Sequence, residues 1–243
     1  MKPLLTFYGD DFTGSTAVME VLSFAGVSTM LFLEPPELDV LKEYPTLQAI
    51  GVAGIARSKD PAWMKSNLPS VFKRLKKFGA PVSHYKVCST FDSSPEIGSI
   101  GVATEIGDAI FSTDWVPLVV GAPDIQRYQA FGTLFAKSGT SIHRLDRHPV
   151  MSSHPVTPMN EADLTRHLTR QTNLKIGIIS LAEIKAGQSH EAVSKCLSDG
   201  ARILAIDVVD DETLTEAGRL IWPIGAASCF AVGSQGVEYA LVA

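Results

Sequence analysis

Two aspartates, Asp10 and Asp11, stand side by side in the turn Gly9-Asp10-Asp11-Phe12-Thr13-Gly14-Ser15-Thr16, directly after a short apolar run. One carboxylate there is easily explained as a helix cap. Two adjacent carboxylates repel each other, so both are kept only for a reason, such as a cation or a hydroxylated ligand between them. Alternatively, one of the pair serves as a general base, a role worth roughly 10²–10⁴ in rate. Gly9 and Gly14 allow a tight turn, and Ser15 or Thr16 is a candidate cap for the helix that follows.

Three further clusters carry polar chemistry. Lys86-Val87-Cys88-Ser89-Thr90-Phe91-Asp92-Ser93-Ser94 leads to Gly98, Ser99 and Gly101 at the opening of a helix. A lysine, hydroxyls and free helix N–H groups together suit a carboxylate or phosphate; the plainer reading is a serine-rich turn capped by Asp92. The segment 121–158 holds four prolines together with Arg127, Arg147, His148, Ser152 and His154. Arginine there suits bidentate anion recognition, and the two histidines lack any zinc-ligand spacing, so no metal site is expected. Finally, Gly233-Ser234-Gln235-Gly236 is a glycine turn that could hold an anion or could be an ordinary turn. Neither a G-x-G-x-x-G fingerprint nor a Walker loop occurs.

The elements that must position these clusters alternate. Strands are expected at Leu4–Tyr8, Thr29–Leu33, Ala49–Ala53, Ser83–Val87, Val116–Val120, Lys175–Ile179, Ile203–Ile206 and Cys229–Val232. Helices are expected at Ser15–Ala25, Pro61–Phe78, Ile97–Ile110, Glu161–Gln171, His190–Leu197, Asp211–Trp222 and from Gln235 onward, with Pro69 kinking or splitting the second. Strand–helix alternation implies an α/β fold with a mostly parallel, doubly wound, Rossmann-like sheet flanked by helices. In such sheets ligands gather beyond the carboxyl ends of the strands, which is where the four clusters fall. The irregular region 121–158 is expected to hold a small hairpin, Gly132–Ala136 against Thr140–Arg144. The last helix stops without a cap, which suggests one domain of a longer protein.

Composition narrows the class of partner. The formal charge is −5 over 243 residues and the basic run Lys73–Lys77 reads as a solvated helix face, so no nucleic-acid partner is expected. Three cysteines without metal spacing read as reduced thiols, and no apolar run is long enough for a membrane span; both point to a cytoplasmic location.

Five ordered stretches carry a resemblance: GDDFTGST, YKVCSTFDSSPEIGSIG, GAPDIQRYQAFGTLFA, RHPVMSSHPVTPMNEADL and FAVGSQGVEYAL. Together they resemble the N-terminal substrate-binding domain of the four-carbon acid sugar kinases, which include threonate, erythronate and 3-oxo-tetronate kinases. The resemblance implies a domain over residues 1–243 that binds a small anionic sugar acid, with ATP and Mg²⁺ bound by a C-terminal domain outside this chain; a homodimer is compatible with it. Carried over by position, Asp10 and Asp11 are the catalytic candidates. Thr13, Ser15, Lys86, Ser89, Thr90, Asp92, Arg127, Ser152 and His154 are substrate-binding candidates. Gly233, Ser234 and Gly236 are candidates to meet the cofactor. The family often has arginine where Ser153 stands, a departure that bears on substrate orientation. Two other readings stand beside this one. A non-catalytic sensor of small hydroxy acids would need the same pocket, and a haloacid-dehalogenase-like phosphatase would need an Asp-x-Asp spacing that adjacent aspartates do not give.

Overall fold

The computed structural model describes residues 2–223 and 228–243. Its strands are β1 (Leu5–Gly9), β2 (Thr29–Phe32), β3 (Ala49–Ala53), β4 (Val82–Lys86), β5 (Val116–Val119), β6 (Arg127–Ala130), β7 (Thr133–Ser138), β8 (Ser141–Arg144), β9 (Ile176–Ile179), β10 (Ile203–Ile206) and β11 (Cys229–Gly233). The helices are α1 (Phe12–Phe24), α2 (Val40–Glu43), α3 (Pro61–Lys77), α4 (Ile100–Phe111), α5 (Leu164–Leu168), α6 (Leu181–Lys185), α7 (Ser189–Ser198), α8 (Asp211–Ile221) and α9 (Gly236–Val242).

Eight strands form one sheet in the order β2-β3-β1-β4-β11-β5-β10-β9, and every pairing is parallel. Strands buried on both faces are mostly apolar, and β1, β3, β4, β5, β10 and β11 are buried along their whole lengths, β4 with Ser83, His84 and Lys86 among them. On one face Tyr8, Ile50, Tyr85, Phe72, Phe111 and Phe230 join a single core cluster beneath α3 and α4; on the other, Leu5, Phe7, Val18, Leu22, Leu214 and Val237 pack beneath α1, α8 and α9. The chain leaves β1 toward the β2 edge, returns through β3, then crosses β1 to build the other side from β4. The strand order therefore reverses at β1, and the turns after β1, β3 and β4 face one crevice.

The inserted segment is richer than a hairpin. The β7–β8 pair lies close to the expected one, but β6 adds a third antiparallel strand through Arg127↔Ala136 and Ala130↔Thr133. Asp207, just past β10, fixes this insertion by accepting from the amides of Gly132 at 2.9 Å and Leu181 at 2.9 Å, and from that of Phe131. Three other expectations need correction. The fourth expected helix, Glu161–Gln171, is only Leu164–Leu168, because Asp163 caps it from the amides of Thr165 and Arg166. The second expected helix, Pro61–Phe78, is not split at Pro69: α3 runs through it from Pro61 to Lys77. The first begins at Phe12, capped by Asp11 and not by Ser15 or Thr16. Among the described residues no helix is long and apolar enough to cross a membrane, and all three cysteines are free thiols.

Candidate functional site

The cation that lets Asp10 and Asp11 coexist is Arg57, in the turn after β3. Its Nε and Nη2 donate to the two oxygens of Asp10 at 3.1 and 2.6 Å, and its Nη1 donates to Asp11 Oδ2 at 2.7 Å. The last carboxylate oxygen, Asp11 Oδ1, accepts the Gly14 amide at 2.7 Å and so caps α1. Backbone bonds lock the three turns together: Asp10 N–H donates to Lys86 C=O and Arg57 N–H to Asp10 C=O, each at 2.9 Å. Bidentate guanidinium–carboxylate pairing is geometrically demanding, and the parallel register of β1, β3 and β4 supplies that geometry. Burial pushes the Asp10 carboxyl above its usual range, while Arg57 and, behind it, Lys86 pull it back. Three of the five Arg57 N–H groups are used in the clamp, leaving two.

The clamp forms one wall of a cleft of about 340 Å³, lined by Asp10, Asp11, Phe12, Gly54, Ile55, Arg57, Ser58, Asp92, His154, Val156 and Thr157. Asp92 reaches it because Phe91 adopts φ 55° while wholly buried, a conformation rare for a bulky residue and maintained only by its surroundings. Thr90 Oγ1 then donates to Asp92 Oδ1 at 2.6 Å. His154 Nδ1 accepts the Thr157 amide at 3.0 Å, so in the neutral ring Nε2 carries the proton.

Of the residues singled out in the sequence, the cleft therefore collects Asp10, Asp11, Asp92 and His154. Thr13 is exposed on the first turn of α1 and does not line it. Ser15 is fully buried with its hydroxyl donating to Asp11 C=O at 2.6 Å, so it supports the turn and offers nothing to a ligand. Ser89 and Thr90 sit behind Asp92, and Ser152 Oγ donates to His148 C=O at 2.8 Å. Lys86 is 1% exposed and donates to Val87 C=O at 2.6 Å, away from the cleft surface. Arg127 lies outside the cleft, its Nη1 on the carbonyls of Ile125 and Gln126 and its buried Nε without an acceptor among the described residues.

In both expected anion turns most of the amides already have partners within the chain. At the start of α4, Ser99 Oγ accepts Val102 N–H, Gln171 Oε1 accepts Gly101 N–H and Lys59 C=O accepts Gly98 N–H. In the turn after β11, Ser234 Oγ donates to Val120 C=O and accepts Gly236 N–H. The glycines of that turn serve close packing instead: a Cβ on Gly233 would lie 1.8 Å from Val119 O, and one on Gly236 2.0 Å from Gly121 O. Gly233→Ala must therefore push β11 off β5, and we expect a loss of about 1–3 kcal/mol in urea unfolding; an unchanged midpoint would refute the packing account. The Ser234 and Gly236 amides are thus already bonded within the chain, and the described residues contain no cluster of three or more metal-ligating side chains.

Beneath the Asp92 loop, His167 Nε2 meets Ser93 Oγ at 2.9 Å and Gln171 Nε2 at 3.0 Å, with Nδ1 buried and unpartnered. Burial, helped by the charge of Arg170, lowers this imidazole from 6.5 to about 4. The unfolded chain therefore binds one more proton between those values, so stability from this group is complete above about pH 6.5 and lost as pH falls toward 4. The loss approaches about 3 kcal/mol. His167→Gln should flatten that part of the urea-midpoint profile; an equal slope in the variant would exclude His167 as its source.

With the geometry established, the chain can be set beside known proteins. Residues 5–241 match the model of a family described as the sugar-binding N-terminal domain. The chain belongs to this family. The sugar-binding domain is 49% identical over 240 residues to a 3-oxo-isoapionate kinase of Paraburkholderia graminis, covering 99% of this chain and 51% of that protein. It is 31% identical over 248 residues to a 3-oxo-tetronate kinase of Methylobacterium radiotolerans, covering 99% and 54%. It thus spans about half the length of the curated relatives it matches. In fold it resembles a Haemophilus influenzae protein (TM-score 0.85, 24% identity, 98% of this chain and 55% of that one). It also resembles a Bordetella bronchiseptica domain of unknown function solved with citrate as a domain-swapped dimer (TM-score 0.74, 20% identity, 99% and 55%).

Arg57 is the main cleft-lining residue that the motifs did not reveal. It stands with Lys59 in the loop Gly54-Ile55-Ala56-Arg57-Ser58-Lys59 at a strand's carboxyl end, and its position there was the available signal.

Proposed function

We propose that this domain is the acid-sugar-binding half of an ATP-dependent kinase that phosphorylates a 3-oxo sugar acid. The observation that carries the reading is the Asp10–Asp11–Arg57 clamp on the wall of a cleft at the strand-order reversal. Such a surface presents oxygen acceptors and two remaining guanidinium N–H groups to a molecule rich in hydroxyls and bearing a carboxylate. Asp92 and the Nε2 side of His154 face it from the opposite loops. Asp11, the more accessible carboxylate, accepts the proton of the attacking hydroxyl, and Asp10 holds Arg57 in register. The alcohol oxygen displaces ADP from the terminal phosphoryl group of ATP, and the catalytic demand on this half is mainly alignment. ATP and Mg²⁺ are held by residues of the full-length protein outside this domain, a reading supported by the Ser234 and Gly236 amides being already bonded within the chain. The higher identity to the 3-oxo-isoapionate kinase than to the 3-oxo-tetronate kinases makes 3-oxo-isoapionate the first substrate to try.

The test is ³¹P NMR of the full-length protein with Mg·ATP and each 3-oxo acid. A new phosphate ester formed only with ATP supports the reading. Binding of the acid, seen by thermal shift, without any ester would favour a sensor. Release of phosphate from a generic phosphomonoester with Mg²⁺ would favour a phosphatase.

A further inference from the structure

Gly14 occupies the first turn of α1 without the positive φ that would demand glycine, and glycine is a poor helix former. Its reason lies in what stands beside it. A Cβ there would lie 2.6 Å from Asp11 Oδ1, 2.9 Å from Lys86 Nζ and 3.5 Å from Arg57 Nη2. The bare Cα therefore leaves a gap bordered by both the buried Lys86 ammonium and the carboxylate clamp, with no direct ion pair between the two among the described residues.

Lys86 is 1% exposed, lines no part of the cleft and uses a single acceptor, Val87 C=O. For a substrate carboxylate to reach its Nζ, the first turn of α1 would have to move. The groups that face it are Asp10 after β1, Arg57 after β3, Cys88 after β4 and Glu238 on α9; burial pushes the ammonium below its usual range while Asp10, Cys88 and Glu238 pull it back up. Asp11 Oδ1 borders the same Gly14 gap. Glu238 pairs with His84 through Oε1, at 2.5 Å from Nδ1 with both side chains fully buried, and its Oε2 has no partner among the described residues. At the clamp itself two carboxylates stand against one guanidinium, an excess negative charge in a low-dielectric setting that a second cation offsets.

We propose that Lys86 is a positioning residue, not a substrate anchor: its ammonium, seated under α1 through the gap at Gly14, holds the Asp10–Asp11 pair ionised and clamped on Arg57. This deepens the kinase reading for the same site and rests on that reading only for its kinetic consequence.

The deciding measurement is a ¹³C-detected titration of the Asp10 carboxyl in the 243-residue chain, comparing the unmodified protein with Lys86→Met and Gly14→Ala. Gly14→Ala replaces glycine within a helix and meets only the far ends of three flexible side chains, so it keeps the test open if Lys86→Met does not fold. We expect the Asp10 midpoint to rise by about one pH unit or more in Lys86→Met, and by a smaller amount in the same direction in Gly14→Ala. An unmoved midpoint in the folded variants overturns the proposal. In the full-length protein with Mg·ATP and 3-oxo-isoapionate, Lys86→Met should lower kcat with KM changed less than about threefold. A KM raised about tenfold or more at unchanged kcat would restore the anchor role and overturn the proposal. If the unmodified protein forms no ester, the kinase reading fails by itself and the titration alone decides the role of Lys86.

Discussion

Arg57→Met is expected to cost the domain about 3–5 kcal/mol, because it strands one buried carboxylate and one half-buried one side by side. For a chain of this size that corresponds to a fall in Tm of about 10 °C. The physical point is the asymmetry of a buried pair: making it gains little, whereas removing one partner leaves an uncompensated charge. Burial disfavours the charged guanidinium, but the hydrogen bonds and charge of Asp10 outweigh it, and Arg57 stays protonated. The double variant Arg57→Met/Asp10→Asn should regain part of the loss, since it withdraws the stranded charge as well. Urea unfolding of the four proteins forms a double-mutant cycle with a coupling of about 1–3 kcal/mol. A single-variant loss under about 1 kcal/mol, or strict additivity, would mean that the clamp contributes little to the fold. The same variant should lose the acid-induced thermal shift, because the cleft wall it removes belongs to both folding and binding.

Asp11→Asn in the full-length protein is expected to lower kcat by about 10²–10⁴ with little change in KM, the pattern of a group needed in the transition state more than in the ground state. Asparagine keeps an oxygen for the Gly14 amide, so the cap on α1 survives, but its NH2 replaces the oxygen that accepts from Arg57; urea unfolding of the variant separates that structural loss from chemistry. Asp10→Asn should differ. Asp10 is 3% exposed and takes two guanidinium bonds, so its variant should lose stability together with activity. An unchanged kcat in both variants would dispose of the general-base assignment. A loss confined to KM in Asp11→Asn would turn it into a binding residue.

Much of this protein is legible along the chain. Short apolar runs separated by helical-period segments dictate a parallel α/β sheet, because strands buried on both faces admit few polar residues and parallel neighbours need crossovers. The adjacent carboxylates, by their repulsion, called for a cation, a hydroxylated ligand or a catalytic role. What the sequence could not name was that cation. Arg57 is 46 residues from Asp11, and only the pairing of β3 with β1 makes them neighbours.

The other differences share this cause. Gly14, Gly233 and Gly236 read along the chain as turn glycines, whereas in space they are points of close approach, to Lys86, to Val119 and to Gly121. Lys86 reads as an anion holder, yet the alternation of β4 turns it inward with Val82 and His84. The amides at the start of α4 read as free, but Gln171, 70 residues on, occupies one of them. Local propensity and periodicity therefore determined the elements and placed the chemistry at their carboxyl ends. Which charges meet, which amides remain open and which side chains reach the cleft were decided by strand order and register, since those interactions act across space and carry no period in the sequence.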